Sequence, residues 1–187
     1  MPYIDVIAHE NAEGELKSIY DDLVKKRGKL AEVHKIQSLN PKSIVNHMDL
    51  YMTIMFGKSP LKRYQREMMA VVVSSNNSCP YCIKHHAEAL NHFWKDEHKT
   101  EMLAEDYTQI DLNETDLALC TYAAHLTKNP ADIEDSNIIN QLKKAGLDDR
   151  SILDAALVVA YFNFVNRMVL GLGVQLEDDG GGGYSYD

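Results

Sequence analysis

The chain has 187 residues, 45% of them hydrophobic and 25% charged, and a formal net charge of −9. That length is enough for one domain with its own core, and the composition is that of soluble globular proteins. The acidic balance speaks against nucleic-acid binding, because phosphate contacts need a basic face. No basic start followed by an apolar run suggests a secretory signal, and the longest apolar stretch, 155–165, contains Asn163 and falls short of the ~20 residues of a membrane span. The cytoplasm is the expected compartment.

Nothing alternates with the period of two expected of a half-buried strand. The expected fold class is therefore all-α, a helical bundle of about seven helices. An arm over 1–12 leads to a helix at 14–26, with Leu16, Ile19, Tyr20 and Leu23 on one face and Gly28 as its stop. Asn40-Pro41 opens a second helix that runs to Phe56. Ser59 and Pro60 read as N-cap and first turn of a third, 61–75, which carries Glu67. After the polar break Asn76-Asn77-Ser78, Pro80 starts a fourth, to Lys95, with Ile83, Ala87, Leu90 and Trp94 at helical spacing. Later helices are expected at 113–128, 132–144 and 148–172, with Asn113 and Asp132 as N-caps and Gly146 as a stop. Residues 1–176 read as one domain, and 177–187, rich in Gly and Asp, as a flexible tail.

The run Ser78-Cys79-Pro80-Tyr81-Cys82-Ile83-Lys84-His85-His86 carries the chemistry. Pro80 pushes Cys79 out of the α region and makes it the N-cap, so Cys82 falls at N3 in the first turn. Both sulfurs then lie at the positive end of the helix dipole, where a Cys-x-x-Cys thiol drops from about 8.5 to about 7 or below. Side chains three apart on a helix stand about 5–6 Å apart at Cβ, against about 3.8 Å in a disulfide, and the cap position can close that gap. His86 follows Cys82 by one turn on the same face and is a natural acceptor for a thiol proton; His85 could take the same part. Glu67, flanked by Met68, Met69, Val71 and Val72, would orient that imidazole once the break folds the two helices together.

Blander readings stand beside these. Cys79 and Cys82 are half of many zinc sites, and with His85, His86 and His92 a metal could find four ligands, although no second ligand pair follows at finger spacing. Glu67 alone reads equally well as a surface charge. Cys120 reads as a buried small hydrophobe, His92 and His98 as solvated, and Met48, Met52 and Met55 as core.

Together these residues resemble the alkylhydroperoxidase D-like branch of the carboxymuconolactone decarboxylase family. The pattern is Arg66-Glu67 in an apolar helix, then Asn77-Ser78-Cys79-Pro80-Tyr81-Cys82, then His86, at intervals of twelve, three and four from Glu67 onward. The strong likeness spans 61–90, and a broader one to peroxidase-related members takes in Gly14-Glu15 and the run from Tyr161 to Arg167. The resemblance implies an all-helical homo-oligomer, trimeric or hexameric, without a bound cofactor. It also implies that Cys82 attacks a hydroperoxide, Cys79 resolves it, and His86 with Glu67 relays the proton. The best-known members have a histidine just before the second cysteine where this chain has Tyr81, which leaves the proton acceptor for Cys79 unassigned, as are the roles of Asn166 and Arg167.

The expected activity is that of a thiol-dependent peroxidase, restored by an external dithiol: a lipoyl group, a thioredoxin-like protein or a peroxiredoxin partner. Decarboxylation of a small lactone is one alternative. A redox-sensing or metal-binding protein without catalysis is the other.

Overall fold

The computed structural model describes residues 1–134, 136–177 and 180. Among them there is no strand, as expected, and the α-helices are α1 (Gly14–Arg27), α2 (Glu32–Lys35), α3 (Pro41–Tyr51), α4 (Arg63–Asn76), α5 (Pro80–Trp94), α6 (Glu97–Asp106), α7 (Glu114–Lys128), α8 (Ile138–Lys144) and α9 (Asp149–Leu172).

Helix α4 is the axis of the bundle. From Gln65 to Ser74 every residue is buried, and α5, α6, α7 and α9 pack around it. The continuous run Met68–Val73 is apolar on all sides, which suits a helix enclosed by neighbours rather than one with a solvent face. A smaller apolar cluster, Leu16, Tyr20 and Leu23 of α1 against Ile44 of α3, sits beside this core. Gly28 ends α1 in the left-handed region, as its position suggested.

The link between α3 and α4 has a specific construction. Directly after α3 the chain continues as a wider helical turn over Met52–Phe56, and the buried Arg66 guanidinium takes up carbonyls there, with Ile54 O at 3.1 Å and Met55 O at 2.8 Å. Gly57 O and Leu61 O complete its partners at 3.0 Å each. A Cβ on Gly57 would meet Thr53 O at 2.3 Å, so only glycine fits. Arg66 thus shapes the approach to α4 and stays out of the chemistry.

Two helix starts differ from expectation. Helix α4 begins at Arg63, and Ser59 instead accepts from Leu61 N at 3.1 Å and donates to Asp154 of α9 at 2.5 Å, because that carboxylate offers a stronger partner than a helix end. Asp132 ends a short turn opened by Pro130, and α8 starts only after Asn137, whose φ of 55° breaks any helix running from 132. Asn113 caps α7 as expected, accepting from Asp116 N, and Asp148, where the last helix was expected to start, caps α9 by accepting from Ser151 N. Helix α6, not foreseen, is capped by Asp96 accepting from Lys99 N.

Helix α9 is long and apolar enough by length and composition to cross a membrane. In the fold its inner face packs on α4 and α7, while Leu153, Leu157 and Phe164 remain exposed on its outer face.

Candidate active site

Between α4 and α5 only Asn77, Ser78 and Cys79 remain non-helical. Asn77 N closes on Val73 O at 3.0 Å and Cys79 N on Ser74 O at 2.9 Å, while Ser78 takes a φ of 53°. The chain therefore reverses within a few residues, and α5 lies back along α4. That reversal carries Glu67 to His86.

At the mouth of α5 the two sulfurs stand 3.2 Å apart and unbonded, Cys79 in extended backbone before Pro80 and Cys82 in the first turn, as the sequence implied. Closing a disulfide of about 2.05 Å needs only a further ångström or so of movement. Both are almost wholly buried. The Cys82 thiol beside it pulls Cys79 below the ordinary thiol range against the opposing effect of burial, helped by the Cys82 and Tyr81 N–H groups. The same neighbour, together with burial, pushes Cys82 far up, and Asn166 opposes this by hydrogen bonding. The pair thus holds one negative charge readily and resists a second. A single proton shared across 3.2 Å decides which sulfur is the nucleophile, and Cys82 is the one that lines the adjoining cavity.

Glu67 is fully buried and accepts from His86 Nδ1 at 2.6 Å, with Arg63 on its other oxygen. Burial would raise its carboxyl, but His86 and Arg63 outweigh this and keep it below the usual carboxylate range. An ionised Glu67 fixes the His86 proton on Nδ1 and leaves the Nε2 lone pair free to take a proton from a thiol. Phe162 holds the ring edge-on at 4.4 Å between centroids. The alternative of a surface charge at Glu67 is excluded.

A second imidazole–carboxylate pair escaped the sequence reading. His85 Nε2 lies 2.9 Å from Glu177 Oε2, and Tyr81 donates to the other oxygen at 2.9 Å. Glu32 N adds a bond at 3.1 Å. Burial opposes ionisation of Glu177, yet His85 and backbone N–H groups bring it down to about 2. Glu177 opens the expected tail, of which only it and Gly180 lie within the described residues; Glu177 itself is docked in the fold. Its role was hidden because the acidic, Gly-rich sequence that follows carries no pattern. Tyr81 is directed to this carboxylate and to Val33 N, so it does not replace the missing histidine as an acceptor for Cys79.

The cavity beside Cys82 has a volume of ≈ 90 Å³, room for a few waters or a small reacting group. Its walls include His85, His86, Tyr161 and Phe162, and across from α5 Arg27, His34 and His47. Burial keeps His47 neutral, its pKa down to about 4, and burial with the nearby His47 takes His34 to about 3. Asn166, wholly buried, donates to Ser74 Oγ at 3.2 Å and accepts from Asn77 at 2.9 Å, locking α9 to the reversal that presents the dithiol. Arg167 is outside the site and bonds to Asn163. Tyr161 and Asn166 stood within a run already noted, but His47 had no local signal, since only folding brings α3 to α9.

Cys120 is buried in the main core, and burial raises its thiol. His92 and His98 are exposed, and of the three methionines Met55 is core, Met48 half-buried and Met52 exposed. Among the described residues no three His, Cys, Asp or Glu side chains converge as metal ligands.

Residues 46–101 match the sequence profile of the carboxymuconolactone decarboxylase family. No curated protein matches the chain. Among solved structures, an uncharacterised peroxidase-related protein from Silicibacter sp. TM1040 is 29% identical with a TM-score of 0.82, over 96% of this chain and 91% of that one. An alkylhydroperoxidase AhpD core, an uncharacterised peroxidase-related protein from Ralstonia eutropha JMP134, has a TM-score of 0.85 at 20% identity, over 96% and 94%. The debrominase Bmp8 in complex with 2,3,4-tribromopyrrole has a TM-score of 0.78 at 19% identity, over 95% and 93%. The segment that matches the carboxymuconolactone decarboxylase family contains the dithiol motif, and along nearly its whole length the chain has the alkylhydroperoxidase D-like helical fold.

Proposed function

We propose that the protein is a thiol-dependent peroxidase acting through Cys82 and Cys79, with His86 and Glu67 as the proton relay. The observation that carries this reading is the pair of free sulfurs 3.2 Å apart at a helix mouth, with Cys82 facing a cavity shared with a carboxylate-backed imidazole. His86 Nε2 takes the Cys82 proton, and the sulfur attacks the distal peroxide oxygen. An S–O bond forms, the O–O bond breaks, and the leaving oxygen departs as alcohol or water with the proton returned from His86. The Cys79 sulfur then displaces hydroxide from the sulfenic acid, which leaves as water after gaining a proton, and a disulfide results. An external dithiol, whether lipoyl, thioredoxin-like or a peroxiredoxin partner, reduces it by exchange. No cofactor is required.

The exposed stripe Leu153, Leu157 and Phe164 on α9 supports assembly as a homo-oligomer; the family resemblance makes it a trimer or hexamer in this proposal, with the cytoplasm as its compartment. Stopped-flow peroxide consumption under single turnover tests the activity: Cys82→Ser should lose it entirely, and turnover equal to the wild type would remove the proposal.

One observation favours a second reading. Tyr51, Tyr81, Tyr161 and Phe162 give the cavity aromatic walls, and a debrominase bound to a brominated pyrrole shares the fold. The same two thiols would supply the two electrons that replace a ring bromine by hydrogen, leaving bromide and the disulfide. Bromide release from a bromopyrrole, with no peroxide turnover, would favour it. The lactone-decarboxylase alternative gives the thiols no task, and activity surviving loss of both would restore it.

A further inference from the structure

The cavity wall opposite the dithiol holds a hydrogen-bond chain whose polarity can be read from its ends. Gln37 Nε2 donates to Val33 O at 2.8 Å, a backbone carbonyl that can only accept, so this atom is fixed as the amide nitrogen. It also lies 2.8 Å from His47 Nδ1 and therefore donates there. A neutral imidazole that accepts at Nδ1 must carry its proton on Nε2. Burial holds His47 neutral, with a pKa of about 4. His47 Nε2 is 2.7 Å from the Tyr161 hydroxyl, so His47 donates and the phenol oxygen accepts. The phenol proton is then directed away from His47. Tyr161 and Cys82 line the same cavity, and Tyr161 is raised well above an ordinary phenol, first by burial and then by Tyr51 and Cys82.

A second observation also indicates a polar occupant. His34 lines this wall, with its ring 5.6 Å from that of His47, and its Nδ1 is shielded from solvent with no hydrogen-bond partner. Buried polar atoms in native proteins are rarely left so, unless a ligand or ordered water completes them.

We propose that Tyr161 is a catalytic hydrogen-bond donor to the leaving oxygen of the peroxide, with His47 and Gln37 as the positioning residues that aim it. This deepens the peroxidase reading and rests on it. When the Cys82 sulfur forms the S–O bond, the O–O electron pair passes to the leaving oxygen as negative charge. The phenol O–H stabilises that charge while keeping its own proton, and the proton removed from Cys82 by His86 completes the alcohol. Reactants and products balance as thiol plus hydroperoxide to sulfenic acid plus alcohol. A donor aimed in advance at developing charge in a water-poor site is the arrangement that lowers a barrier most.

The test varies the leaving group. An alkoxide leaving from tert-butyl hydroperoxide is strongly basic and depends on a donor, whereas the carboxylate leaving from peracetic acid is weakly basic and does not. Tyr161→Phe should slow single-turnover oxidation of Cys82 by tert-butyl hydroperoxide about 10²–10³-fold. Peracetic acid oxidation should change by less than about threefold, within the scatter expected of a packing change alone. His47→Gln should show the same selective loss at smaller size, because the phenol remains but is less well aimed. Equal slowing with both oxidants, or none with either, would overturn the role of Tyr161. Wild-type protein that oxidises no faster than Cys82→Ser with both would instead remove the peroxidase reading beneath it.

Discussion

His85 and His86 are neighbours on α5, yet they meet carboxylates from distant parts of the chain, one on the preceding helix and one beyond the last helix. One residue along an α-helix turns the side chain by about 100°, which is enough to send the two rings to different walls. His86 reaches Glu67 in the middle of α4, wholly buried and backed by Arg63. His85 reaches Glu177, just beyond α9, where Tyr81 and Glu32 N hold it. The first pair is fixed by the most enclosed helix of the bundle. The second is held on a short segment after α9, through contacts of Glu177 with α2 and α5. The same chemistry, carboxylate on imidazole, is thus built once inside the bundle, where we propose it as the relay, and once after α9 as a latch on the segment that follows.

The largest expected effect tests the rigid pair. Glu67→Gln keeps the size but loses the charge that fixes the His86 tautomer, and single-turnover peroxide reduction should fall by about 10²–10⁴-fold. Glu67→Ala should also cost about 3–5 kcal/mol of stability in urea unfolding, because Arg63 would lose the anion that compensates it. Activity of Glu67→Gln within a factor of a few of wild type would make the two pairs equivalent and end the comparison.

A third imidazole sharpens the contrast, since His47 has no carboxylate and remains neutral through burial. Its folded pKa of about 4 lies below the ordinary 6.5, so between those values the unfolded chain binds a proton that the native state does not. Stability must then rise with pH over that window and fall as the solution is acidified below about 6.5. His47 alone should contribute a loss of about 1–2 kcal/mol by pH 5.5, and His34, lowered to about 3, acts in the same direction. Urea midpoints measured from pH 7.5 to 5 check this. His47→Gln should visibly flatten the dependence, and an unchanged slope would mean that His47 is not neutral in the fold.

How far the sequence could reveal this arrangement depended on distance along the chain. Cys79, Cys82, His86 and Glu67 lie within twenty residues on two helices joined by a short break, so local spacing and capping were sufficient to bring them together. The helix starts marked by Asn113 and Asp148 were equally legible, because a cap acts on its own turn. Ser59 misled for the opposite reason: its partner, Asp154, is 95 residues away. Asp132 stood before a break created by the left-handed Asn137, which the hydrophobic pattern does not register. Gln37, His47 and Tyr161 sit on elements with no local relation, and nothing in their own neighbourhoods marks them as one chain of hydrogen bonds. Glu177 was lost to composition, since an acid at the head of a Gly-rich run looks like solvent-facing charge.

The smallest expected effect belongs to the latch. Glu177→Gln retains an acceptor for Tyr81 and Glu32 N but loses the carboxylate oxygen that faces His85, so peroxide turnover should change by less than about tenfold, far below the Glu67→Gln loss, as expected of a partner outside the relay. Structural consequences should appear first in hydrogen exchange, with faster exchange at the Glu32 and Val33 amides, whose acceptors are Glu177 and the Tyr81 hydroxyl it anchors. Acid should mimic the substitution. Glu177 titrates at about 2 in the fold against 4.5 ordinarily, so its contribution is fully present above about 4.5 and is lost as pH falls toward 2. Release of the segment around Glu177 should therefore begin only below pH 4.5, after His47 and His34 have already started to erode global stability. If those two amides exchange early, above pH 5, the carboxylate is not what holds them, and the second pair is only a contact between neighbours.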